Sequence, residues 1–182
     1  MPWDSQDAKD TSEVIVNWMI KDVDMLIKND ANYAAALCIL VYAEALGRLV
    51  KGTLLNPSYG LGEPAFVYFL GKMGYDPQES KIIYDNLRHG MAHSYIPMRY
   101  ANFTKGRDKR GIDTADTNNI KVHLLSLYDE FEGAARSIPL EISQPNIGNY
   151  VMPIYAKCPY FDSQISFYHN VIKSSGNTTA MI

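Results

Sequence analysis

The segment Tyr84-Asp85-Asn86-Leu87-Arg88-His89-Gly90-Met91-Ala92-His93-Ser94-Tyr95 gathers an arginine and two of the chain's four histidines into one short span. These residue types suffice for phosphate chemistry without a metal. A guanidinium offers a phosphate two parallel donors and a fixed positive charge, and an imidazole can take or give a proton near neutral pH. A second chemistry is open at the same place. Asp85, His89 and His93 form an i, i+4, i+8 row, and two histidines four apart on a helix can hold zinc. That row has no cysteine near it, and Arg88 alongside would repel a cation. A third reading leaves the histidines as a helix-end pair that caps carbonyls.

The elements that must position these residues can be read from the flanks. Asp76-Pro77-Gln78-Glu79 is a capping box with proline at the first helical position, so a helix opens there and carries Arg88 and the histidines about three turns in. Ile83, Leu87 and Met91 form its core stripe, and Arg88 lies off it. Arg88 and His93 are five residues apart, roughly 140° around an ideal helix, so they do not meet on it. Gly90 between them and the length of the arginine are the two means of bringing them to one cleft.

The order arginine, polar residue, three residues, histidine at a helix end resembles the Arg-x4-6-His motif of the HEPN superfamily (higher eukaryotes and prokaryotes nucleotide-binding). The wording Leu87-Arg88-His89-Gly90-Met91-Ala92-His93-Ser94-Tyr95-Ile96-Pro97 is also similar to that of stand-alone members. The resemblance covers roughly residues 11–137 and implies an up-and-down helical bundle. It also implies a metal-independent endoribonuclease with no cofactor, in which the motif helices of two subunits face each other. Two copies of Arg88 and His93 would then line one shared cleft, with His89 and Asp85 in support. A protein partner such as an antitoxin belongs to the same expectation. The alternative within this resemblance is a non-catalytic module that binds a nucleotide, an RNA or another protein.

Composition bounds these readings. The chain has 182 residues, 47% of them hydrophobic and 20% charged, with a net charge of −3. That suits one soluble globular domain and argues against coating nucleic acid by bulk charge, so any such contact needs a local patch. Cys38 and Cys158 lie in unlike surroundings without metal-type spacing and read as reduced thiols. The first residues show no signal-peptide pattern. The apolar run from Tyr33 to Ala43 is ended by Glu44 and is too short to span a bilayer. The expected place is the cytoplasm, with no membrane contact.

In chain order, residues 1–10 read as loose. Asp10-Thr11-Ser12-Glu13 is a second capping box, followed by Val16, Met19, Ile20, Val23, Leu26 and Ile27 at helical spacing. Asp30 is the expected cap of the next helix, which runs to Lys51 and is apolar on nearly every side, so it should be central. Glu44 and Arg48 are its exceptions. They read either as an exposed i,i+4 pair or, if Glu44 faces the cleft, as the carboxylate that orients Arg88. The phrase Glu44-Ala45-Leu46-Gly47 is similar to an acidic position on the second helix of some HEPN families. A turn-rich connection over 53–63 leads to a short third helix, Ala65 to Met73.

Residues 96–114 suggest a two-stranded ribbon or ordered loop carrying Arg99, Lys105, Arg107, Lys109 and Arg110, with Tyr100 and Phe103 among them. This is either a solvated turn or an RNA-binding patch where bases stack and cations hold phosphates. Asn118 or Asn119 is the expected cap of a fifth helix from Ile120 to about Ser137, with His123 one turn in as a packed or exposed residue. Residues 139–182, rich in proline, read as an arm over the helices with an edge strand and a last helix near 161–172, loose from Ser174. The whole is expected to be a single all-α domain, 1–182, a bundle of four to five helices with a ribbon and a proline-rich arm, acting as a homodimer.

Overall fold

The computed structural model describes residues 5–51, 60–94, 97, 100–107 and 109–142. Tyr95, Arg99, Cys158, most of the 53–63 connection and all of the arm beyond Ile142 lie outside the described residues. The rest is mostly helical, with a small three-stranded sheet.

Helix α1 (Ser5–Lys28) begins before the expected cap. Thr11 and Ser12 are buried inside it, and the Ser12 hydroxyl donates to the Lys9 carbonyl instead of capping. Gln6 with Asp10 and Lys9 with Glu13 form i,i+4 pairs that carry the helix through the capping-box letters. At its end Asp30 adopts φ 57, the left-handed region, and its carboxylate takes Lys105 Nζ at 2.5 Å. Asp30 therefore turns the chain and does not cap; Ala31 precedes α2 (Asn32–Val50) without a side-chain cap.

Helix α2 is the central helix. It has the length and apolarity of a membrane-crossing helix, with a mean hydropathy of 1.6. Here it is packed among the others, with Ala35, Ala36, Ile39, Leu40, Ala43 and Leu46 buried. Helix α3 (Gly62–Lys72) lies directly on it. A Cβ at Gly47 would stand 2.0 Å from the Ala65 carbonyl oxygen, so the two backbones touch where only glycine fits. Gly74, at φ 91, turns the chain towards the next helix.

Helix α4 (Pro77–Ile83) opens as expected. Asp76 accepts from the Gln78 and Glu79 amides at 2.8 Å, and the Asp76 amide donates to the Glu79 carboxylate at 3.0 Å. The helix then widens into a π-helical segment, Tyr84–Arg88, and continues as α5 (His89–Ser94). Val16, Leu40, Ile83, Leu87, Leu124 and Leu127 lie in the core as their periodicity requires, with Met19 and Leu37 at its margin and Val41 half-buried.

The sheet departs from the expected ribbon. Strands β1 (Tyr100–Thr104) and β2 (Ile112–Asp113) do not pair with each other. Both pair with β3 (Asn119–His123), which lies between them. β1 runs parallel to it from Tyr100↔Asn119 to Thr104↔His123, and β2 runs antiparallel at Ile112↔Val122. β3 takes residues expected to open a helix. The reason is local: Ile120 and Val122 are buried while Asn119 and Lys121 are exposed, a period of two with β-branched residues inward.

The true helix, α6 (Leu124–Ile142), starts after that alternation and runs through Pro139, where the arm was expected to begin. Proline removes a backbone donor from a helix interior. Tertiary contacts hold the last turn all the same. Ile138 and Ile142 are fully buried, Tyr68 donates to Glu141 at 2.5 Å, and Lys72 pairs with the same carboxylate.

Candidate functional site

Arg88 ends the π-helical segment, where the His89 amide donates to the Tyr84 carbonyl five residues back. Such a wide turn holds an extra residue and shifts the phase of everything after it, and it is often found at functional sites. Ile83, Leu87 and Met91 remain buried, and Arg88 turns towards α2. Its guanidinium Nη2 stands 2.6 Å from Glu44 Oε2, while Arg48 Nε donates to Glu44 Oε1 at 2.9 Å. Glu44 is only 6% exposed. The exposed i,i+4 pair is thereby overturned, and the carboxylate faces Arg88. A buried carboxylate needs cationic partners, and this one has two.

Two residues close the cluster that the motif alone does not signal. Tyr84 lies one turn before Arg88, whose guanidinium carbon stands 5.8 Å from the phenol ring centre. Burial, and next the Glu44 carboxylate, push the Tyr84 phenol up, against the opposing pull of Arg88 and Arg48. Gly62, the first residue of α3, comes so near that a Cβ there would lie 2.8 Å from Glu44 Oε1 and from the Tyr84 hydroxyl. Among the described residues, Glu44 thus stands between two guanidiniums. Arg88 Nε is buried without a hydrogen-bond partner among the described residues.

The histidines occupy a different face. His89 and His93 are exposed, and their rings meet in a tilted contact, 4.5 Å between centroids with 54° between planes. Arg88 is thus held against Glu44 on α2 while His93 is exposed, and Gly90 between them is buried. Asp85 is exposed, and among the described residues no group of three His, Cys, Asp or Glu side chains converges as a metal needs.

The basic segment is tied down more than its sequence suggests. Lys105 pairs with Asp30, Arg107 with Asp129 at 2.8 Å, and Arg110 with Glu79 at 2.7 Å. Arg110 also donates to the Gly74 carbonyl and lies 4.0 Å from the centre of the Tyr75 ring. Lys109 is exposed, and Tyr100 is 86% exposed. Phe103 packs on Tyr33 at 5.1 Å, which leaves Tyr100 as the aromatic with an open face. His123 is buried at the end of β3, its Nδ1 2.9 Å from the Thr104 hydroxyl, while Nε2 has no partner among the described residues.

No family model, no curated protein and no solved structure matches the chain.

Proposed function

We propose that the chain is a HEPN-like, metal-independent endoribonuclease of the cytoplasm, whose helices form an up-and-down bundle and whose site is completed where two copies meet across α5. The observation that carries this reading is the division of labour on one helix end. Glu44 fixes Arg88 in a half-buried cluster that it shares with Arg48, and one turn on His93 is exposed with no carboxylate paired to it among the described residues. RNA carries its own nucleophile. An enzyme needs a base for the 2′-OH proton, an acid for the leaving oxygen and a cation for the charge growing on phosphate. His93 is suited to the proton transfers, and the arginine cluster to the charge.

Because Arg88 is held against Glu44 while His93 is exposed, a two-fold axis is the simple way to unite them: His93 of one copy meets Arg88 of the other. Attack by the 2′-OH on the adjacent phosphorus breaks the P–O5′ bond and leaves a 2′,3′-cyclic phosphate and a 5′-hydroxyl. Incubation of mixed RNA with the protein in excess EDTA tests this. New 5′-hydroxyl ends are expected, and intact RNA, or cleavage only when a metal is restored, contradicts it.

A second reading has its own observation. Arg88 spends its charge on Glu44, as an assembly or nucleotide-binding module would allow. RNA retention without cleavage in the same assay favours that module.

A further inference from the structure

We propose that Tyr84 is a second phosphate-binding residue of the Arg88 site, its hydroxyl donating to a non-bridging oxygen of the same RNA phosphate that Arg88 holds. The need for such a donor follows from how Arg88 is fixed. A guanidinium grips a phosphate best with two parallel N–H groups. Here Nη2 stands 2.6 Å from Glu44 Oε2 and Nε is buried, so the fork that these two nitrogens form is turned into the protein. Among the described residues that leaves Nη1 for a ligand, a single nitrogen where the grip needs two donors.

Tyr84 is placed to supply the second. It opens the π-helical segment that Arg88 closes, and the guanidinium carbon stands 5.8 Å from its ring centre. Phe66 packs on the ring at 5.3 Å and fixes its direction. The hydroxyl lies 2.8 Å from where a Cβ on Gly62 would stand, as does Glu44 Oε1, and Arg48 Nη2 lies 3.1 Å from the same place. The hydroxyl therefore shares one corner with Arg48 and with the carboxylate that holds Arg88. Burial and the neighbouring charges act on the half-buried phenol, but among the described residues no hydrogen bond does. A phenol whose proton goes to no neighbour is a donor for a ligand, and burial with the Glu44 charge keeps that proton in place. Glu44 does not bar an anion from the corner, since its own charge is met by Arg48 and Arg88.

A part for Tyr84 in cleavage rests on the ribonuclease reading, whereas the phosphate contact does not, and one set of measurements separates them. Tyr84→Phe keeps the ring and removes the donor alone. The full chain, as wild type and as Tyr84→Phe, is titrated in EDTA against a single-stranded 2′-O-methyl oligoribonucleotide, which keeps every phosphate and cannot be cut by 2′-OH attack. Fluorescence anisotropy should show binding weakened about tenfold or more in the variant, as for one lost hydrogen bond to a charged group. Tm should be unchanged, because the hydroxyl bonds to no described residue. Equal affinity of the two proteins, no binding by the wild type, or a lowered Tm in the variant overturns the contact. On cleavable RNA, Tyr84→Phe should also cut more slowly than wild type at saturating RNA; an equal rate overturns the part in cleavage. If binding depends on Tyr84 as expected while wild type leaves mixed RNA intact, the ribonuclease reading fails and the phosphate contact stands.

Discussion

Glu44 and Arg88 show how far a single residue can be read. The i,i+4 spacing of Glu44 and Arg48 is visible in the sequence, and so is the need of a buried carboxylate for a cation. Burial itself is not visible, because it depends on α3 laying Gly62 against Glu44 and on the π-helical turn aiming Arg88 from another helix. Tyr84 and Gly62 were missed for the same reason, since neither carries a charge pattern. The pairing makes a sharp prediction. Arg88→Ala leaves Glu44 buried with Arg48 alone, and losing one partner of a buried polar group costs about 1–3 kcal/mol. Chemical denaturation should show that loss, and Arg88→Ala combined with Glu44→Gln should recover part of it. An unchanged midpoint in the single variant means that the pair contributes nothing.

At the scale of elements, local signals succeeded where they were self-contained. The Asp76 capping box needs only four consecutive residues, and α4 begins where it says. Asp76→Ala should lower stability by about 1 kcal/mol, read from the same denaturation curves. Signals failed where distant contacts outbid them. The letters Asp10 to Glu13 were swallowed by a longer α1, Asp30 was drawn off by Lys105, and Ile120 to His123 became a strand because β1 and β2 flank it on both sides.

Tyr75 joins these elements. Its hydroxyl donates to Glu130 at 2.6 Å and accepts from the Ile112 amide at 2.8 Å, while Glu130 also takes the Gly111 amide. Burial, and then the bond and charge of Glu130, push its phenol above the ordinary value. A raised folded-state value means that the neutral phenol's contribution is complete below the unfolded value, about 10, and is lost as pH rises beyond it. Thermal melts from neutral to strongly alkaline pH should therefore fall less steeply above about pH 10 for Tyr75→Phe than for wild type. Parallel profiles for the two proteins would exclude Tyr75 as a source of the alkaline loss.

For the whole molecule, the mainly helical character was legible from apolar periodicity, and the small mixed sheet was not, because β2 has only two residues and the strand order depends on pairing across the chain. The proposed site needs two copies, so sedimentation at micromolar concentration should give twice the chain mass, and a monomer would remove the shared cleft. The most direct measurement compares wild type with His93→Ala for RNA cleavage in EDTA, with RNA binding and Tm followed alongside. His93 is exposed and bears no ion pair among the described residues, so its removal should leave Tm and binding nearly intact while lowering the cleavage rate about 10²–10⁴-fold. Cleavage by His93→Ala at the wild-type rate would contradict the account.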